Sequence, residues 1–316
     1  MSLRRLARYA SFALAMTAIA LTFSIAARAA AVPQAGQQMF KSAQAAADAL
    51  VAALKSDDSA ALATILGVKS KGALSSGDAV ADHNDVAGFI RSYDEMHRFA
   101  NGPDGKYYLL VGAQNWPMPF PLATKGSQWF FDTLYGEHEL RYRRIGRDEI
   151  AAINVIGEVV KAQDDYYNQT HDGRTHVYAA KLISDAGKQN GLYWKAAAGA
   201  TPSPIGPLVA AASQEGYRAA GKDHPQEYYG YLYKLLTAQG PSAPGGAKDY
   251  LQDGKLSGGF AILAYPAKYG QSGVATFIAG PDGTLYEKDF GPKTEALASA
   301  ITQFDPDKSW RKAGSK

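Results

Sequence analysis

The sequence predicts an α+β protein in two parts, on three observations. Helical periodicity fills residues 42–99, short alternating segments separated by turn residues replace it over 106–133, and a long amphipathic segment then leads into a second set of strands. In the first part, Ala46, Ala49, Leu50, Ala53 and Leu54 recur on one helical face, and Leu62, Ile65 and Leu66 repeat the pattern before Gly67. Phe89, Ile90, Tyr93 and Met96 mark a third helix. Strands follow at 106–112 and 127–133, with the proline-fixed stretch Trp116-Pro117-Met118-Pro119-Phe120-Pro121-Leu122 extended between them.

The second part opens with a helix predicted over 148–167. Asp148 and Glu149 stand at its positive end, and Ile153, Ile156, Val160 and Tyr167 form its apolar stripe. Pro207 suits the first turn of another helix reaching toward Ala220, because proline there gives up no needed N–H. Tyr229, Tyr231, Tyr233 and Leu235 alternate as in a strand, 259–265 is continuously apolar, and 274–279 turns at Pro281-Asp282-Gly283 into 284–288. A last helix is predicted over 294–304, ahead of Asp305-Pro306. The expected divisions are residues 1–29, 30–146 and 147–316. In element order the first folded part resembles the nuclear-transport-factor-2-like (NTF2-like) or cystatin-like folds.

Residues 1–29 carry the marks of a signal peptide: Arg4, Arg5 and Arg8, an uncharged apolar run over 12–27, and small residues at Ala27 and Ala29. That run is shorter than the roughly 20 residues of a membrane-spanning helix, and Arg28 closes it. Cleavage after Ala29 and a periplasmic or extracellular destination are the expectation. The chain has no cysteine, which excludes disulfides, thiolate metal sites, a cysteine nucleophile and a lipid anchor on cysteine. Removing residues 1–29 leaves 29 basic against 30 acidic residues, a balance that gives no case for nucleic acid. No second apolar stretch is long enough to span a bilayer, so the mature chain is expected not to cross a membrane.

Several segments together carry a family resemblance. They are Ser75-Ser76-Gly77-Asp78 with Val80-Ala81-Asp82, the Trp116–Leu122 stretch, Arg143-Arg144-Ile145-Gly146-Arg147, Gly191-Leu192-Tyr193-Trp194 and Ser203-Pro204 with Gly206-Pro207-Leu208. Further on stand Gln239-Gly240-Pro241, Gly259-Phe260-Ala261, Tyr269-Gly270 with Ser272-Gly273-Val274, and Phe304-Asp305-Pro306-Asp307. On these the chain resembles the exported bacterial family catalogued as domain of unknown function 2950, over essentially the whole mature length. The resemblance implies export and no particular activity. The second part also resembles the globular heads of type IV pilins and pseudopilins, with a long helix, an Asp- and Gly-containing loop and a small antiparallel sheet. Asn168-Gln169-Thr170-His171-Asp172-Gly173-Arg174 lacks the alternating oxygen ligands of a calcium loop, so no calcium is expected. Arg143, Arg144 and Arg147 stand where a pilin would carry a hydrophobic spine.

Other motifs fall short of chemistry. The run from Gly216 to Gly221-Lys222 has the spacing of a phosphate loop, but Asp223 stands where Ser or Thr must bind magnesium, and a helix precedes it. His138-Glu139 starts like a zinc-protease helix, yet Tyr142 replaces the second histidine. Gly270-Gln271-Ser272-Gly273 lacks the last glycine of a nucleophile elbow and reads as a tight turn. The adjacent Asp164 and Asp165 point in different directions on a helix. No cofactor motif or metal cluster emerges from the sequence.

Two aromatic groups remain as candidate ligand surfaces. Trp116, Phe120 and Trp129 can stack on sugars or peptides, or simply pack the first sheet against its helices. Tyr193, Trp194, Tyr228, Tyr229 and Tyr231, with Arg144 and His224, can make an adaptable recognition surface, or fill one face of a strand. The functional expectation is a binding or assembly module of the cell envelope, partnered by an envelope polymer or protein. The alternative is a hydrolase of envelope glycan or peptide with Asp or Glu residues in a cleft between the two parts, Asp132, Asp165 and Asp172 being the first carboxylates to test.

Overall fold

Ser42, Asp58 and Asp78 each turn a side-chain oxygen back onto the first free backbone N–H groups of a helix, and three helices begin at these caps. In the computed structural model, which describes residues 31–69, 74–197, 199–217 and 227–314, they cover Ala43–Lys55 (α1), Ser59–Leu66 (α2) and Ala79–Glu95 (α3). Strands His97–Asn101 (β1), Tyr107–Val111 (β2), Trp116–Pro117 (β3), Leu122–Lys125 (β4) and Gln128–Phe131 (β5) form an antiparallel sheet in the order β1-β2-β4-β5, with β3 also on β2. Leu50, Ile65, Leu109, Phe120 and Phe131 are among the side chains buried between these helices and this sheet. The expected helices-then-meander layout is present. The signal-peptide reading of residues 1–29 lies outside the described residues.

Asp132 accepts a hydrogen bond from the Tyr135 N–H and caps a 35-residue helix, Thr133–Tyr167 (α4), about 52 Å long at 1.5 Å per residue. The helix expected to start at Asp148 therefore begins 15 residues earlier and runs straight through Gly146. Gly136 and Gly146 weaken the helical signal in the sequence. Gly136 is required by packing, since a Cβ there would lie 2.0 Å from Cδ1 of Phe120. Its first turns pack with the first core through Leu140, and Ala152, Val155, Ile156 and Val159 belong to a second. The described residues from Pro33 onward form one compact unit.

After α4 come a short parallel pair, Lys181–Ile183 (β6) and Gly191–Tyr193 (β7), and the helix Gly206–Glu215 (α5), with Pro207 in its first turn and Gly216 closing it at φ 105. Then follow Glu227–Tyr228 (β8), Tyr231–Leu236 (β9), the two-residue pieces Ala238–Gln239 (β10), Lys248–Asp249 (β11), Leu251–Gln252 (β12) and Lys255–Leu256 (β13), and the strands Ala261–Pro266 (β14), Ala275–Ala279 (β15) and Leu285–Asp289 (β16). Thr294–Ser299 (α6) and Arg311–Lys312 (β17) complete the chain. The main sheet is antiparallel throughout, in the order β17-β16-β15-β14-β9-β8.

All of β14 is buried because both faces are covered. Ile262 and Ala264 meet the α4 side, while Ala261, Leu263 and Tyr265 meet a third cluster with Ala298 and Phe304. The alternating strand expected from Tyr229 is broken by a two-residue turn. Tyr229 and Gly230 take φ 48 and φ 67, and β8 folds back on β9 there. Among the described residues no helix is long and apolar enough to cross a membrane.

Candidate functional site

The middle of α4 holds a charged network that ties distant parts of the chain together. Arg144, only 9% exposed, donates from its two terminal nitrogens to the carbonyls of Ser75 (3.1 Å) and Leu74 (3.0 Å). Asp82 accepts from Ser75 Oγ at 2.8 Å and from the Ser76 N–H at 2.9 Å, so the loop ahead of α3 is held from both sides. One turn along, Arg147 Nε meets Asp148 Oδ1 at 3.0 Å, and its Nη1 reaches Asp85. Glu149 Oε1 accepts from the N–H groups of Val274 (2.9 Å) and Ala275 (3.0 Å), fixing the start of β15. Three of the segments that carry the family resemblance, at 75–82, 143–147 and 269–274, therefore converge on one part of one helix.

Asp148 is 2% exposed, and burial raises its carboxyl to about 7 against the opposing pull of Arg147 and Arg144. Gly230 packs beside it, since a Cβ there would lie 2.5 Å from Cβ of Ser272 and 3.0 Å from Asp148 Oδ2. A tyrosine at positive φ is costly. Tyr229 is held there with its hydroxyl donating to Glu215 Oε2 at 2.7 Å, which ties the hairpin turn to the end of α5.

Beside this network lies a cleft of about 310 Å³, lined by Gly77, Asp78, Val80, Gly216, Tyr217 and Glu227. Asp78 Oδ1 caps α3, accepting from Val80 and Ala81 at 3.0 Å each, while Oδ2 accepts the Tyr217 hydroxyl at 2.6 Å. Three donors thus satisfy that carboxylate. Glu227 has the opposite surroundings: its Oε1 is buried with no hydrogen-bond partner among the described residues, and burial, then the negative charge of Asp78, push its pKa up against the pull of Lys268. The cleft thus pairs a saturated carboxylate with an under-satisfied carboxyl, a combination able to receive a cationic or hydroxyl-rich group. Among the described residues no group of three or more His, Asp or Glu is placed to hold a metal ion.

The residues singled out from sequence are scattered. Trp116 is 44% exposed and carries the Arg143 guanidinium 5.0 Å from its ring centre, whereas Phe120 is buried beneath Gly136 and Trp129 packs on Tyr107. Those three do not form one exposed platform. Tyr231 is fully buried with its hydroxyl on the Ala275 carbonyl, and Trp194 and Tyr193 belong to the same core. Arg144 is a loop clamp, Tyr229 a turn residue at the rim of the network, and His224 lies outside the described residues. Asp132 caps α4 and meets Lys106 at 3.1 Å, Asp165 is solvated near the helix end, and Asp172 accepts from the Gln189 N–H. None of these three carboxylates lines the cleft. Sequence reading passed over Asp78, Tyr217 and Glu227 as a site. The available signal was Ser75-Ser76-Gly77-Asp78, a capping pattern far from any other candidate in the chain.

Helices over one antiparallel sheet, a shared long helix, and a second sheet covered on both faces define an α+β protein with a carboxyl-lined cleft beside a buried ionic network. The chain belongs to the family described as protein of unknown function (DUF2950), whose model matches residues 37–313. No curated protein and no solved structure matches it.

Proposed function

We propose that the chain is exported, loses residues 1–29, and serves the cell envelope as a binding module whose ligand enters the Asp78–Tyr217–Glu227 cleft. The observation that carries this reading is Glu227 Oε1, a buried carboxyl oxygen without a partner among the described residues, in a residue that lines an open cleft. An amine or hydroxyl donor from an envelope glycan or muropeptide would complete its hydrogen bonding. The assembly side of the reading draws on the order of long helix, short loop and antiparallel sheet, which is similar to pilin heads, although α4 carries arginines in place of a hydrophobic spine. The test is a thermal-shift screen of residues 30–316 against muropeptides and envelope glycans, repeated with Glu227→Gln. A ligand at about 100 times its Kd adds roughly 2.7 kcal/mol of stability. The expected result is a shift that Glu227→Gln diminishes; indifference to every envelope compound removes the proposal. N-terminal sequencing of the secreted chain, expected to begin at Ala30, tests export separately.

A second reading, hydrolysis of an envelope polymer, is favoured by the divided environments of the two carboxyls. Burial drives Glu227 toward its protonated form, the state of a general acid, while Asp78 beside it accepts three hydrogen bonds. It requires turnover of a glycan or peptide that Glu227→Gln abolishes without loss of folding.

A further inference from the structure

At the far edge of the main sheet, β16 and the segment before β17 enclose a groove of about 300 Å³, near the lower size limit of small-molecule sites. Phe290 and Trp310 meet edge to face there, with centroids 5.7 Å apart and planes at 82°. Lys288 Nζ lies 4.7 Å from the Phe290 centroid and 5.8 Å from that of Trp310, and donates to Ser309 Oγ at 2.6 Å. The aromatic corner is thereby fixed in place before any ligand arrives. Thr302, Gln303 and Asp305 line the groove as well. Thr302 and Gln303 are exposed. Asp305 spends Oδ1 on the Ser242 N–H at 2.7 Å.

We infer that this groove binds a pyranose ring of a neutral glycan. The chemistry of the lining selects that occupant. Aromatic faces take the apolar C–H side of a sugar ring, and a ring of hydroxyls needs planar amide and carboxylate groups with both donors and acceptors, which Gln303, Asp305 and Thr302 supply. Lys288 and Asp305 carry opposite charges, so the groove favours neither an anionic nor a cationic polymer. β17 occupies the edge of β16 at Tyr286 and Glu287, which denies a peptide the strand addition it would use there. This site is separate from the Glu227 cleft and does not depend on it.

The test titrates residues 30–316 with chitotriose and with cellotriose, following tryptophan fluorescence and calorimetry. The expected result is saturable binding of at least one trisaccharide, weakened about tenfold or more by Trp310→Ala. Gln303→Ala, on the exposed rim, is expected to weaken it several-fold, while Trp310→Phe retains most of it. If Trp310→Ala fails to fold, Gln303→Ala and Trp310→Phe carry the test. Absence of saturable binding to both sugars overturns the inference, as does binding that ignores the groove variants or disappears with Glu227→Gln alone.

Discussion

Two glycines in one helix should respond in opposite directions to the same substitution. At Gly136 an added Cβ would sit 2.0, 2.2 and 2.6 Å from three ring carbons of Phe120, where ordinary contact begins near 3.4 Å. The ring must retreat by about 1.4 Å within a core where Phe120 is 2% exposed, and overpacking of this kind costs about 1–3 kcal/mol. Alanine returns roughly 1 kcal/mol of helix propensity, so Gly136→Ala is expected to be neutral at best and to destabilise by about 2 kcal/mol at the upper end. Gly146 lies ten residues further along, with nothing among the described residues within 4 Å of its would-be Cβ, so Gly146→Ala should gain up to about 1 kcal/mol. Gly157, equally open, is the control. With roughly 2–4 °C per kcal/mol for a chain of this size, the Gly136 and Gly146 variants should differ by up to about 12 °C in Tm. Scanning calorimetry reads the difference directly. A clearly destabilised Gly146→Ala would falsify the continuous helix, and a Gly136→Ala as stable as Gly146→Ala would mean that Phe120 does not lie against α4.

Asp148 should impose a pH slope on stability. Its folded value of about 7 lies above the roughly 3.9 of an unfolded aspartate, so the folded chain holds the extra proton in between, and stability falls as pH rises from about 4 to 7. Asp148→Asn should flatten that part of a urea-denaturation series; an unchanged slope would assign it to other groups. Tyr217→Phe removes the donor to Asp78 Oδ2 and should cost about 1–3 kcal/mol at constant m-value, with no loss excluding the 2.6 Å bond as a contributor to stability. Gly230→Ala forces a side chain into positive φ and against Ser272 and Asp148, and should destabilise by more than Gly136→Ala; a mild effect would place the Tyr229-Gly230 turn elsewhere.

Periodicity carried the fold class because α1 and α2 bury clean faces and β14 is buried throughout. It missed the first four turns of α4, where Gly136, Gly146 and four arginines blur the stripe, and where the reasons for Gly136 and Arg144 lie across the structure: Phe120 under the glycine, loop carbonyls around the arginine. The tyrosines at 229 and 231 looked alike in sequence because alternation cannot see a backbone reversal between them. The cleft was illegible for a different reason. Asp78, Tyr217 and Glu227 are each unremarkable locally, and only the return of the chain after α5 brings the second and third to the first. Aromatic content, by contrast, suggested surfaces where Phe120 and Tyr231 serve as core.

The bond between Asp78 and Tyr217 closes across 139 residues. Loop closure grows only slowly costlier with length, but a contact this distant cannot form until the intervening chain has been ordered. The first helices and their meander can gather from neighbouring residues, whereas the cleft waits for α4, α5 and the β8–β9 hairpin to arrive. A chain emerging N-terminus first would therefore have its first core in place before the walls of its cleft, and a partly folded form would retain that core while lacking any place for the ligand.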